Sequence, residues 1–169
     1  MGNITLLHKP DLPYHSISHE KTVLQEWINL VKVGEDRASI PLGEELESFL
    51  VFTLMRLVKR TNLFTIVLSI EYLEASMSST GKARETHLSD IADVCLVHAG
   101  LFPERYKKIG IPSTYFRNIG CAALDDLATL SAKQKRKGSE TLYKRARDAF
   151  PFLTEVLLAT REDTDYLSK

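Results

Sequence analysis

The chain has 169 residues, of which 44% are hydrophobic and 26% are charged, a composition typical of an ordinary globular domain. This excludes a disordered or collagen-like chain, and the length suits one hydrophobic core rather than two. Because 22 Lys and Arg residues balance 22 Asp and Glu residues, no global positive charge attracts a polyanion, and any nucleic-acid site would have to be a local patch.

The N-terminal residues predict neither a targeting signal nor regular structure. Residues 1–17 contain Pro10 and Pro13 and show little periodicity, which predicts an arm that either lies over the domain or stays mobile. The chain does not start with a basic region followed by a long apolar run. Its densest apolar stretch, residues 50–58, contains Arg56 and is too short to span a bilayer. We therefore expect a soluble cytoplasmic protein without membrane contact.

Residues 18–160 are predicted to form a single helical domain, followed by a tail over 161–169. The first helix is predicted over 18–33 and is expected to end at Gly34. Its apolar face comprises Val23, Trp27, Leu30 and Val31. The second helix is predicted over 41–60, with Pro41 in its first turn. Acidic residues near its start and basic residues near its end complement the helix dipole. A broad apolar face predicts that this helix is largely buried; that face comprises Leu46, Phe49, Leu50, Leu54, Leu57 and Val58.

Residues 63–75 are rich in β-branched side chains, so a strand competes with a helix there. Ile66, Ile70 and Leu73 recur at intervals of four and three, which favours a central helix that is hydrophobic on several sides. A further helix is predicted over 82–99, where Gly100 is expected to stop it.

Two more segments complete the predicted fold. Ser113 is expected to cap a helix over 113–130, and the small residues at 120–123 permit close approach of a neighbour. Ser139 is expected to cap the last segment, over 139–157, which Pro151 divides into two collinear pieces or one kinked helix. The sequence thus predicts an all-α, single-domain bundle of about six helices.

Parts of residues 40–127 are similar to sequences of a known protein family. The segments Pro41–Val51 and Ala99–Arg105, with Tyr115, Phe116 and Gly120 downstream, resemble a family of small all-helical bacterial proteins of unknown function. The resemblance implies a bacterial, helical, single-domain protein. It implies no activity, cofactor or catalytic residue.

Candidate metal ligands and thiols do not form a recognisable site. His87 and Asp90 have a ligand-like spacing on the helix predicted over 82–99, but His98 lies roughly 16 Å further along it, and a metal would need ligands from elsewhere. Hydrogen-bonded or exposed histidines are the favoured interpretation. Cys95 and Cys121 are expected to be reduced, inert thiols. We expect no metal and no cofactor, and because no catalytic motif is present the balance leans against an enzyme.

Residues 102–148 contain eleven basic and five acidic side chains, an excess of six positive charges. This region could bind phosphates, with Tyr106 and Tyr143 stacking on bases, or could be an ordinary solvated surface. It could equally contact the acidic segment 35–47 of another chain. Aromatic residues around the 100–117 connection either anchor a partner or cap the bundle core.

The leading hypothesis is a protein that acts by binding, as an adaptor or regulator of an unidentified protein partner, with a homo-oligomer also open. The expected contact residues lie in the 100–117 connection, the 133–137 loop and the helix after it. They are Phe102, Arg105, Tyr106, Lys107, Lys133, Lys135, Arg136, Lys137, Lys144 and Arg147. Two alternatives remain open. One is a nucleic-acid or anion binder that uses the positive 102–148 face. The other is a helical enzyme or ligand carrier with a pocket between the helices predicted over 82–99 and 113–130, where polar groups such as Asp93 or His98 would converge.

Overall fold

The computed structural model describes residues 14–60, 74 and 81–163, and the side chains of 20–60, 74 and 81–161. Within those ranges the chain forms seven α-helices, a short 3-10 helix (Thr160–Asp163) and no strand, which confirms the all-α prediction. The helices are α1 (Tyr14–Ala38), α2 (Glu44–Lys59), α3 (Lys82–Leu101), α4 (Pro103–Lys108), α5 (Ser113–Lys133), α6 (Lys137–Asp148) and α7 (Phe150–Ala159). Apart from residue 74, the helix predicted over 63–75 lies outside the described residues, as do residues 1–13 and 164–169.

Helix α1 is longer at both ends than the sequence predicts. It begins at Tyr14, inside the predicted arm, and it continues through Gly34 to Ala38. Gly34 does not end the helix, because it serves close packing instead: a Cβ there would lie 2.6 Å from the carbonyl oxygen of Val156 on α7. Leu30 is exposed although it was expected on the apolar face, whereas Val31 is fully buried.

Helix α2 follows a short connection that is held by a carboxylate. The backbone N–H of Leu42 donates to Oε1 of Glu35 over 2.7 Å, and the helix begins after Gly43 rather than at Pro41. Its first turn is acidic and its last turn is basic, as predicted. Leu50 and Leu57 are buried, but Val58 is exposed, contrary to the prediction.

Helix α3 is the centre of the bundle. All eight residues from Ile91 to His98 are buried, and the helix packs against α2, α4, α5 and α7. Gly100, the predicted stop, lies inside this helix, where a Cβ would come within 2.7 Å of Leu157. The small residues predicted to allow close approach do so at Gly120, where a Cβ would lie 2.9 Å from that of Cys95.

The last long segment forms two helices, α6 and α7, with Pro151 in the first turn of α7. Two helical pieces, rather than one kinked helix, were one of the two predicted alternatives. Proline has no N–H to donate, so the backbone cannot supply the usual partner of the Arg147 carbonyl. The thiol of Cys121 on α5 donates to that oxygen over 3.7 Å. The predicted caps are shifted: Pro112, not Ser113, precedes α5, and α6 begins before Ser139.

None of the helices in the described ranges combines the length and the apolar character needed to cross a membrane.

Candidate binding groove

A groove runs between α2, α3 and α6. Its apolar half, defined by Phe49, Phe52 and Leu142, has a volume of about 480 Å³ and is bounded by Glu44 and Glu45 at one end. Its polar half, defined by Arg60, Lys82, Asp90 and Arg136, has a volume of about 590 Å³. The two halves adjoin each other, because both are lined by Arg56, Ser89 and Tyr143.

Helix α2 supplies one wall of the groove. One face of the helix carries residues at intervals of four, three and four, namely Glu45, Phe49, Phe52 and Arg56, and Arg60 follows four residues later as the C-cap. The face changes from acidic through apolar to basic, which follows the preference of each charge for its end of the helix dipole. The two halves of the groove therefore differ in character because of how α2 begins and ends.

Phe52 is the unusual residue of this wall. It is 50% exposed, although Leu50, Val51, Thr53 and Leu54 around it in sequence are buried. Exposed single apolar side chains are common on protein surfaces, but this one lies in a concave, largely apolar site beside Phe49 and Leu142.

Helix α6 forms the opposite wall. Arg145 on α6 and Glu45 on α2 form an ion pair that links the two helices. Tyr143 lies where the two halves meet, and burial together with the charge of Glu85 raises the pKa of its hydroxyl. At neutral pH this phenol therefore stays protonated.

A buried ion pair anchors the middle of the groove. Arg56 donates from Nε to Oδ2 of Asp93 over 2.8 Å and from Nη2 to Oδ1 over 2.9 Å. Thr53 adds a hydrogen bond of 3.3 Å to the same carboxylate. Burial raises the pKa of the Asp93 carboxyl, and the bonds from Arg56 and Thr53 oppose that rise. Burial also opposes the charge of Arg56, but its bonds to Asp93 outweigh this and raise its pKa.

The guanidinium of Arg56 is consequently fixed in position. Two parallel hydrogen bonds to one carboxylate define its plane, while 42% of the side chain remains exposed toward the groove.

In the polar half, two further ion pairs join neighbouring elements. Arg60 contacts Asp90 over 2.5 Å, and Arg136 contacts Glu85 over 3.1 Å. Burial raises the pKa of Asp90, and Arg60 counteracts this effect. Lys82 has no ion pair with any residue in the described ranges, so the four cations of this half face only two carboxylates at its surface.

The contact residues predicted in the 100–117 connection belong to two different environments. The hydroxyl of Tyr106 and Nδ1 of His98 share a hydrogen bond, and the Tyr106 ring lies 4.6 Å from that of Phe116. Tyr106 thus caps the core, which is the alternative given for these aromatics. Phe102 is 38% exposed, and Arg105 and Lys107 are exposed. Burial, and to a smaller extent the charge of Arg105, lowers the pKa of His98 to about 4.

The predicted basic residues after residue 130 fall into two groups, one that forms ion pairs and one that is exposed. Arg136, Lys144 and Arg147 form ion pairs with acidic residues of the chain: Glu85, Glu140, and Asp125 with Asp148, respectively. Lys133, Lys135 and Lys137 are exposed. Three of these six cations are therefore paired and three are exposed without an ion pair in the described residues, so the nucleic-acid hypothesis stays a prediction.

Of the ten predicted contact residues, only Arg136 lines the groove. Phe49 was assigned to the core, and Phe52 and Lys82 were not singled out. The spacing of Glu45, Phe49, Phe52 and Arg56 along one helical face was the signal that could have indicated this wall.

The cysteines and histidines do not create a reactive centre here. Both cysteines are free, and burial raises the pKa of Cys95 and of Cys121, so neither thiol is activated. His87 is exposed, and among residues 14–60, 74 and 81–163 no three His, Cys, Asp or Glu side chains are placed to hold a metal ion. Asp93 and His98, named for a ligand pocket, are instead bonded to Arg56 and Tyr106.

Comparison of the chain with protein families, with curated proteins and with solved structures found no match.

Proposed function

We propose that this protein acts by binding a segment of another protein in the groove between α2, α3 and α6. The observation that supports the proposal is Phe52, a half-exposed aromatic side chain in a concave site with an apolar base and charged ends. Aromatic anchors that become buried at the centre of a contact supply much of the binding energy of protein interfaces. The role is that of an adaptor or regulator.

The energetics of the site fit this role. Covering the exposed half of Phe52 contributes about 1 kcal/mol, and Phe49, Leu142 and the ring of Tyr143 add apolar surface around it. The charged groups are held by Arg56–Asp93, Arg60–Asp90 and Arg145–Glu45 pairs. Fixed charges of this kind orient a partner without losing much side-chain entropy when it binds.

A site-specific photo-crosslinker tests the proposal in cells of the source organism. The crosslinking amino acid p-benzoylphenylalanine replaces Phe52, and in separate variants it replaces Phe102 or Ile109. Ile109 is the matched control, because it is 67% exposed but lies outside the groove. We expect a discrete crosslinked protein from position 52 and none from position 109.

Three outcomes would overturn the proposal. One is a product from Phe102 alone, which would return the contact to the 100–117 connection. Another is a product at position 52 that consists of two copies of this chain. The third is an internal crosslink from position 52 to the chain's own residues 61–80, identified by peptide mapping.

A further inference from the structure

The polar half of the groove has an excess of positive charge that the described residues do not neutralise. Arg56, Arg60, Lys82 and Arg136 line it, against Glu85 and Asp90. Asp93 beneath Arg56 neutralises one more charge, which leaves an excess of one. The exposed parts of three of the cations face solvent, since the side chains of Arg56, Arg60 and Arg136 are 42%, 41% and 39% exposed.

Hydrogen-bond donors are also in excess at this site. Nε of Arg136 is buried and has no hydrogen-bond partner among the residues that the structure describes. Lys82 contributes three donors, and no hydrogen bond or ion pair within the described ranges uses them. The phenol of Tyr143 stays protonated and faces the same space. An acceptor with negative charge in the groove can bind the accessible donors of Lys82 and Tyr143.

We infer that the partner segment carries acidic residues next to its apolar anchor, so that its carboxylates enter the polar half while the anchor packs on Phe52. The inference rests on the proposed function and specifies the chemistry of the partner. Carboxylate is a complementary group, because the Lys82 ammonium and the guanidinium N–H groups of Arg56 and Arg60 that Asp93 and Asp90 leave unused can donate to it.

The spacing along α2 sets a register for the partner. Arg56 lies four residues and Arg60 eight residues beyond Phe52, which places them about 6 and 12 Å along the helix axis. A helical partner matches these distances with acidic residues about four and eight positions from its anchor. An extended partner matches them with acidic residues about two and four positions away.

The experiment selects binders from a random peptide library displayed on phage, using the full-length protein as bait. Selected peptides are synthesised with a fluorescent label, and their affinity is measured by fluorescence polarisation. We expect the selected sequences to combine an apolar residue with acidic residues at one of the two registers. Binding should weaken as salt is raised, since exposed charges are screened.

Two charge-reversal variants separate the site from a general charge effect. Lys82→Glu changes the polar half without breaking an ion pair seen in the described residues, and we expect it to weaken binding about fivefold, as for a reversed charge at the rim of an interface. Lys107→Glu is the matched control. It makes the same charge change far from the groove, because Lys82 begins α3, which is about 30 Å long, and Lys107 lies on α4 beyond its other end. We expect it to leave the affinity unchanged.

The failures of the two proposals are distinguishable. The proposed function predicts peptides that bind Phe52→Lys more weakly than the wild type but bind the surface variant Val58→Lys as tightly. If no selected peptide behaves in this way, the proposed function is wrong. If binding depends on Phe52 but the peptides lack acidic residues, only the charge inference is overturned. The same holds if Lys82→Glu and Lys107→Glu have equal effects.

Discussion

At the scale of single residues, buried polar side chains determine how the protein responds to pH and to substitution. His98 is 6% exposed, and its imidazole is enclosed by the rings of Tyr106, Phe116 and Phe102. Asp93 is 2% exposed and is bound to Arg56 and Thr53. Both lie on the eight-residue buried stretch of α3, so their charge states are linked to folding.

His98 should make the protein less stable in mild acid. In the unfolded chain its pKa is near 6.5, whereas burial lowers it to about 4 in the folded protein. As the pH falls through this window, the unfolded chain takes up a proton that the folded protein does not. The free energy of unfolding therefore falls, by up to about 3 kcal/mol.

Urea denaturation of the wild type and of His98→Gln between pH 7.5 and pH 4 measures this effect. We expect the wild type to lose more stability over that range than the variant, whose residue 98 does not titrate. Parallel pH profiles would contradict the assignment.

The Arg56–Asp93 pair should behave as a unit. Arg56→Met leaves a buried carboxylate without its main partner, and we expect a loss of about 2–3 kcal/mol at neutral pH. The loss should shrink as the pH is lowered, because the unpaired Asp93 then takes up a proton. The double variant Arg56→Met with Asp93→Leu should recover most of the stability, and a double-mutant cycle in urea measures the coupling. Additive single effects would rule out this description.

At the scale of helices, glycines allow close contacts that no other residue permits. Gly34 brings α1 against α7, Gly100 brings α3 against α7, and Gly120 brings α5 against both α3 and α7. In each position an added Cβ would come within 3 Å of a neighbour. At Gly34 that neighbour is backbone, which cannot rotate away.

Gly34→Ala should therefore destabilise the protein although it removes a poor helix former. The clash with the Val156 carbonyl outweighs the gain in helix propensity, and we expect a loss of about 1–3 kcal/mol. Gly138→Ala in the first turn of α6 is the matched control, because a Cβ there meets nothing within 4 Å. It should keep or raise the melting temperature in thermal denaturation monitored by circular dichroism. Equal effects at both positions would show that propensity, not packing, dominates.

At the scale of the whole molecule, part of the positive 102–148 region is neutralised by ion pairs within the described residues. The basic residues of α6 reach acidic residues of α2 and α5, through Arg145–Glu45 and Arg147–Asp125. The sequence suggested that the acidic segment 35–47 could meet the basic region of another chain. In the structure, Glu45 of that segment meets Arg145 of the same chain.

This arrangement predicts weak attraction to nucleic acid. We expect the purified protein to elute from a sizing column with the same ratio of absorbance at 260 and 280 nm at low and at high salt. Light scattering on the same column gives the mass of the eluted species. Nucleic acid that co-elutes at low salt and is removed at high salt would restore the positive 102–148 face as the main hypothesis.

The sequence by itself determined the fold class and most of the helices. Periodicity, capping charges and proline positions act over one or two helical turns, so they are readable without tertiary contacts. The break at Pro151 and the charged ends of α2 are examples. The C-terminal boundaries of α1 and α3 were predicted too early, because Gly34 and Gly100 resemble helix stop signals but serve close packing.

Only the tertiary structure decided where the groove lies. Phe52 resembles any other apolar residue of α2 until the position of α6 leaves it half exposed. Arg136, Glu85 and Arg56 are far apart in sequence and line one groove because α2 packs against both α3 and α6. The spacing along α2 could indicate only one wall, because the distances that define the whole site run between elements rather than along the chain.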